Sequence, residues 1–392
     1  MTSTLTFINA YLYTAEGTPI ENGFLTISHQ KIAAVGSMAD FVPTDGAEII
    51  DLRGKRIYPG FIDAHTHVGM WDDGLGFEGD DGNEDSEPVT AALRAIDAIN
   101  SFDRCFVEAH EAGITTVVTG PGSANPIGGM MAALKTTGGR IDNMILKAPI
   151  SMKMALGENP KSTYHGRDES PITRMATAKL IREALTKAQR YAQSIDRAED
   201  EGDLPEFDAN CEALLPVIRG ELPVHIHAHR RDDIFTGIRI AEEFHLRYVL
   251  VHATEGYLCA DELAACGVSI FSGPLLCDRS KPELVNLTPR SAGILDKAGI
   301  QTAIVTDHPE TPIQYLPICA GLAVREGMDY DSALRAITIY PAQILGLDDR
   351  IGSLRVGKDA DFSLFDGDPL TLAAKPLAVY IDGKAVYKSD NL

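Results

Sequence analysis

The stretch FIDAHTHVGM, starting at Phe61, sets His65 and His67 one residue apart in an otherwise apolar run. Side chains at i and i+2 of a strand share a face, so both imidazoles point the same way. A hydrophobic strand gains nothing in packing from such a pair. Two imidazoles on one side can instead grip a metal ion. With 11 histidines in the chain, an H-x-H pair alone is weak evidence. Other runs repeat the theme. LPVHIHAH puts His225, His227 and His229 on one face, RYVLVHATEG ends on His252, and QTAIVTDHP carries Asp307. A single buried histidine reads most simply as a hydrogen-bonded core residue. Donors at the ends of four separate apolar runs read as one shared cation site.

These runs need a scaffold that brings them together. Residues 1–56 hold short β-rich segments (LTFINAYLY, FLTISHQ, KIAAVGS, EIIDLRGK) separated by turn residues, which predicts strands of a small sheet. After Pro59, apolar strands alternate with helical patterns, as in parallel βα units. FIDAH is the first strand, with a helix expected from about 90 to 112. ITTVVTG is the second, and 127–157 should hold the third and fourth. A helix is expected over 173–199. LPVHIHA is the fifth strand, followed by a helix with Ile234, Ile238 and Ala241 on one face. RYVLVHA, GVSIFSG and QTAIVTD complete eight. The expected fold is α/β, a (β/α)8 TIM-like barrel over 57–347 whose strand C-termini form the site. β texture returns over 348–392, so both chain ends are expected to build one composite β-sandwich domain around the inserted barrel.

Composition narrows the function classes. At 392 residues and a formal charge of −21, a nucleic-acid backbone or an anionic membrane surface is disfavoured as partner. The six cysteines are scattered without a C-x-x-C pair and read as reduced thiols. The N-terminal segment lacks a basic region followed by an apolar run, and no apolar stretch is long enough to span a bilayer. A cytoplasmic enzyme acting on a small molecule is expected.

The HTH motif, His227, His252 and Asp307, with YPGFID before HTH and GSLRVGKDAD near the end, resemble the amidohydrolase superfamily over nearly the whole chain. The nearest likeness is to imidazolonepropionase-related and prolidase-like members. The resemblance implies hydrolysis of a C–N amide bond by a hydroxide that divalent metal activates, zinc first, with manganese or iron as options. It implies a binuclear centre: His65, His67 and Asp307 on one ion, His227 and His252 on the other. A lysine carbamylated by CO2 would bridge them, and Asp307 would act as general base and then acid. Lys153 in APISMKMALGENPK fits that lysine, because it faces away from Met152 and Met154. Lys147 shares its parity, but Pro149 between them favours Lys153 as the mid-strand residue. His227 is the expected ligand of its strand, with His229 the runner-up and nearer substrate. Deaminase-type members carry a glutamate where this chain has Arg230, which favours amide hydrolysis.

Loops beyond the strands are less legible. WDDGLGFEGDDGNEDSE crowds acids from Asp72 to Glu87 and reads as a lid, a cation site, a subunit contact or a solvated loop. Asn159, His165, Arg167, Arg230 and Arg231 fall near the expected mouth. His229, Arg230 and His165 are the expected substrate contacts, an arginine being suited to a substrate carboxylate. An N-acyl amino acid, a dipeptide or a cyclic amide would fit such a site. Two rivals are a mononuclear enzyme with unmodified Lys153 and a non-catalytic scaffold. The resemblance also implies a homo-oligomer.

Overall fold

A computed structural model of the protein describes residues 4–72 and 76–390. Its strands are β1 (Leu5–Leu12), β2 (Ile20–Ser28), β3 (Lys31–Ser37), β4 (Glu48–Asp51), β5 (Arg56–Pro59), β6 (Phe61–Thr66), β7 (Ile114–Thr119) and β8 (Ile127–Lys135). They continue as β9 (Ile145–Ala155), β10 (Val224–Ala228), β11 (Tyr248–His252), β12 (Ile270–Ser272), β13 (Thr302–Ile304), β14 (Phe362–Phe365), β15 (Pro376–Ile381) and β16 (Lys384–Lys388). The first helices are α1 (Arg104–Glu111), α2 (Glu158–His165), α3 (Arg174–Arg197), α4 (Ala209–Ile218) and α5 (Arg231–Glu243).

Two eight-stranded sheets result. The first runs β16-β15-β14-β5-β1-β2-β3, with β4 alongside β1, so both chain ends contribute to it. The link is β14, which pairs antiparallel with β5 from Phe362–Pro59 to Phe365–Arg56. Because β5 ends at Pro59, this sheet extends three residues past position 56. At its centre Phe362 and Tyr380 stack nearly parallel at 4.7 Å, and Phe7 meets both edge-on at 5.3 Å.

The second sheet runs in sequence order from β6 to β13 and is nearly closed. Two backbone bonds join its ends: Asp307 N–H to the His65 carbonyl at 3.2 Å, and His67 N–H to the His308 carbonyl at 2.9 Å. This is a TIM-like barrel with one departure from the all-parallel expectation. β8 runs antiparallel to both β7 and β9, so β7-β8-β9 is a meander with no intervening α-helix. The alternation of GGMMAALK is the same in either direction, so nothing in it signalled the reversal. The helix expected over 90–112 is also shorter. Only Arg104–Glu111 is α-helical. The segment before it is drawn against β8, with bridges Val89–Ile127 and Arg94–Met130.

Alternation sorts the barrel residues. On β9 and β10, Met152, Met154, Val224 and Ile226 pack outward with Ile181 and Leu185 of α3, Leu214 of α4, and Ile234 and Ile238 of α5. The opposite face carries Lys153, His225 and His227, with Lys153 beside His225 in register. All six cysteines are free thiols. No described helix is long and apolar enough to cross a membrane.

Candidate metal centre

At one end of the barrel the expected donors converge. His65, His67 and Asp307 form one group, and His227, His229 and His252 a second; within each, one donor atom per residue lies within 4.8 Å of the others. Asp307 Oδ1 is 3.3 Å from His67 Nε2 and 3.5 Å from His65 Nε2, and its Oδ2 is 4.0 Å from His252 Nε2. The carboxylate therefore stands between the two groups. Lys153 is fully buried, with Nζ 3.0 Å from His65 Nε2. Lys147, by contrast, is exposed.

The backbone aims these side chains. His252 and Asp307 adopt φ of +69° and +54°, a region that costs a non-glycine residue of order 1–3 kcal/mol and that clusters at functional sites. Each lies just where its strand turns out of the barrel. Asp63, buried beneath, accepts hydrogen bonds from Thr306 N–H at 3.0 Å, Thr306 Oγ1 at 2.6 Å and His65 N–H at 3.3 Å. It thereby ties the strand end that carries Asp307 to the one that carries His65. Burial pushes the Asp63 carboxyl up to about 7.

Whether a cation fits can be tested on the imidazoles. His67 Nδ1 lies 2.7 Å from the Gly120 carbonyl and His252 Nδ1 2.7 Å from the Gly273 carbonyl. A carbonyl only accepts, so each Nδ1 carries the proton and each ring turns its Nε2 toward the pocket. Those nitrogens face the Asp307 oxygens. Nitrogen and carboxylate donors converging across such distances suit a cation between them. Gly273 is required for this: a Cβ there would stand 2.0 Å from the Val305 carbonyl oxygen. His227 Nδ1 bonds Ser123 Oγ at 2.9 Å and His229 Nδ1 bonds Thr254 Oγ1 at 2.7 Å. Hydroxyls donate or accept, so these two tautomers stay free to adapt. His227 Nε2 is buried without a hydrogen bond.

The electrostatics agree. Burial, reinforced by Lys153, holds His65 well below the usual imidazole range, and burial does the same to His227 and His229. Burial brings His252 to about 4 and the deeper His225 to about 3. Burial also lowers Lys153 to about 7. It works the other way on Asp307, but His252 and His67 outweigh it and hold that carboxyl down at about 2. Neutral imidazoles beside an ionised carboxylate are metal ligands in waiting.

A cavity of about 550 Å³ opens above, lined by His67, His227, His229 and Asp307 among others. Asn159 lines it, but two of the expected substrate contacts do not reach it. Arg230 is exposed and turned onto Asp232, with Nε–Oδ1 2.9 Å and Nη2–Oδ2 2.8 Å. His165 is exposed at the end of α2. Arg167 pairs with Asp85. The acidic loop borders the mouth through its backbone, with Gly122 N–H to the Gly82 carbonyl at 2.7 Å. Its Asn83 lines the cavity, and Trp71 meets the His67 ring edge-on at 5.0 Å. Asp73 lies outside the described residues. Glu283 and Lys281, outside the expected set, do reach the site. They lie in an irregular loop after β12, where no periodicity marks an inward residue.

This arrangement has relatives. The chain is 40% identical to an amidohydrolase from Thermotoga maritima MSB8 whose crystal structure superposes with a TM-score of 0.94, covering 98% of this chain and 100% of that one. It is 31% identical to amidohydrolase tasK of Hapsidospora irregularis over 94% of this chain, which spans only 39% of that longer protein. It is 23% identical to the imidazolonepropionase of Fusobacterium nucleatum subsp. nucleatum, over 94% of this chain and 92% of that one. A prolidase complexed with N-methylphosphonate-L-proline shares the fold, with a TM-score of 0.62 at 17% identity, covering 99% of this chain and 100% of that one. The amidohydrolase family pattern matches residues 56–386, from the strand that enters the barrel to the strands that return to the end sheet. With the match running through every strand that carries a donor, the chain belongs to the amidohydrolase family, whose members are metal-dependent hydrolases.

Proposed function

We propose that the protein hydrolyses a C–N amide bond of a small substrate, an N-acyl amino acid, a dipeptide or a cyclic amide. The observation that carries this reading is the pair of donor groups joined by Asp307, with buried Lys153 beside them. His65, His67 and Asp307 would hold one zinc ion and His227 and His252 the other, with Lys153 as a carbamate between them. Bound divalent metal supplies an activated water and polarises the carbonyl.

The chain's own residues supply the rest. Hydrolysis places a hydroxyl on the carbonyl carbon and a proton on the departing nitrogen. Asp307 stays ionised at neutral pH, so its free oxygen can take the proton from water and release it to nitrogen. His229 lines the cavity next to His227 and is placed to hold the substrate oxygen. Lys281 is the one lysine or arginine among the described lining residues, which supports a substrate bearing a carboxylate. The surrounding sheet, with limits at 1–56 and 348–392 about a barrel of 57–347, is taken as a composite β-sandwich domain. A homo-oligomer in the cytoplasm, free of nucleic acid and membrane, completes the reading.

A second reading, with one ion and an unmodified amine, is favoured by a single contact. In it Lys153 Nζ donates to His65 Nε2 across their 3.0 Å and occupies that lone pair. Elemental analysis with and without bicarbonate separates the two: bicarbonate-dependent loading of two ions supports the carbamate. For the function itself, zinc-loaded protein is screened against N-acyl amino acids, dipeptides and cyclic amides. No turnover in any of the three classes would sink the proposal.

A further inference from the structure

Glu283 sits in a short turn, Pro282–Leu284, between β12 and β13. Only 2% of it is exposed, and its two carboxylate oxygens have different surroundings. Oε2 accepts the Glu158 N–H at 2.9 Å, while Glu158 Oε2 accepts the Glu283 N–H at 3.2 Å. That reciprocal clasp fixes the turn to the start of α2. Oε1 is buried, has the Lys281 ammonium as its ion-pair partner, and lies against the second donor group. It lies 3.7 Å from His229 Nε2 and 3.9 Å from His227 Nε2, and His227 Nε2 lacks a hydrogen-bond partner. Two ligand bonds of about 2.1 Å meeting at a tetrahedral angle set their end atoms roughly 3.4 Å apart. The observed gaps exceed that by only a few tenths of an ångström.

Charge points the same way. His65 and His67 have Asp307 to balance a cation, whereas His227, His229 and His252 are three neutral rings. Glu283 is the carboxylate that lies against two of those rings. The Lys281 ammonium stands 2.9 Å from the same Oε1 and is held from behind by Asn159 Oδ1 at 2.7 Å. A cation therefore already occupies the space beside Oε1, borne on a side chain long enough to move aside.

We propose that Glu283 is a further ligand to the cation held by His227 and His252, and that Lys281 competes with that cation for the same oxygen. The proposal rests on the metal-dependent reading above. It adds a carboxylate to the two imidazoles of the second half of the centre, a donor set suited to a borderline ion such as zinc. When the ion is bound, the Lys281 ammonium is released toward the cavity, where a substrate carboxylate can take the place of Glu283.

The test measures zinc binding by the full chain, stripped with a chelator and titrated in competition with a chromophoric chelator. Glu283→Gln is nearly isosteric and keeps a carbonyl oxygen for the Glu158 N–H, but it cannot offer a second ligating oxygen. It should weaken one zinc site by at least about tenfold with an unchanged circular dichroism spectrum. Lys281→Met should tighten the same site several-fold, because the competing ammonium is gone. If Glu283 serves only as a clasp and ion-pair partner, Lys281→Met leaves zinc affinity unchanged or weaker, and that overturns the proposal. Should E283Q not fold, the sign of the Lys281→Met effect still decides. A wild-type chain that binds no zinc overturns the functional reading itself. Normal wild-type binding with equal affinity in E283Q overturns this proposal alone.

Discussion

Two buried lysines on neighbouring strands meet opposite fates. Lys135 ends β8 and is surrounded by carboxylates: Asp361, Asp359 at 3.0 Å and Asp382 at 3.2 Å. Lys31 and Arg350 complete the cluster on Asp359, at 2.6 and 2.9 Å. Burial works against its charge, but the three aspartates prevail and raise its pKa. Lys153 on β9 has imidazoles for neighbours and Asp307 to favour its charge, but burial wins and the amine drops to about 7. The first cluster is a closed set of matched charges that binds the barrel to the chain-end sheet. The second is left open, with imidazole nitrogens facing an anion and buried atoms without partners. Burial alone does not mark a functional lysine; burial without matched charge does.

Substitutions can break or sharpen that contrast. The largest effect is expected at Asp307. Asp307→Asn should lower turnover by roughly 10²–10⁴-fold with KM nearly unchanged, measured on whichever amide the screen identifies; unchanged turnover would remove Asp307 from proton transfer. Next, Lys135→Met strands Asp361 without its cation. It should cost about 3–5 kcal/mol in a denaturant titration, while metal content per chain stays at the wild-type value. Lys153→Met should do the reverse, losing bound metal by elemental analysis while its denaturation midpoint holds or rises. If both lysine variants behaved alike, the distinction between matched and unmatched charge would have no force.

Acid should separate the regions too. Burial raises the Asp359 carboxyl, but Lys135, Lys31 and Arg350 outweigh that and hold it below its ordinary 3.8. Its stabilising contribution is therefore full above about pH 3.8 and is lost as pH falls through the lower folded value. Asp359→Asn should be less stable than wild type at pH 7, with the difference shrinking as pH falls below 3.8, followed by thermal unfolding across that range. The smallest effect belongs to Arg230→Ala. With its guanidinium on Asp232 at the surface, the change should stay within about 0.5 kcal/mol of stability and leave KM unaltered. A raised KM would return Arg230 to the substrate.

The same contrast explains what the sequence could convey. Alternation along the strands accounts for the inward faces of His65 and His227, whereas His67 and Asp307 lie past the ends of β6 and β13 and positive φ redirects His252 and Asp307. The same alternation turns Lys153 to the inner face, beside His225. Strand direction is invisible to a period of two, so the reversal of β8 was not legible. The segment before α1 has helical spacing, but pairing with β8 overrides that local preference. Arg230 sits at the right distance from His227, yet spacing says nothing of Asp232, which claims its guanidinium first. Glu283 obeys no period. What places it is a clasp with Glu158, 125 positions earlier in the chain.

The insertion of β14 beside β5 also orders events during synthesis. Strand β5 is finished at Pro59, but the neighbour that covers its open side begins only at Phe362. At ribosomal speeds of about 5–20 residues per second, that side stays bare for roughly 15–60 s. An uncovered strand edge invites pairing with other nascent chains. Premature termination anywhere before Phe362 would leave the edge bare for good, so truncated products should aggregate rather than persist as a working barrel.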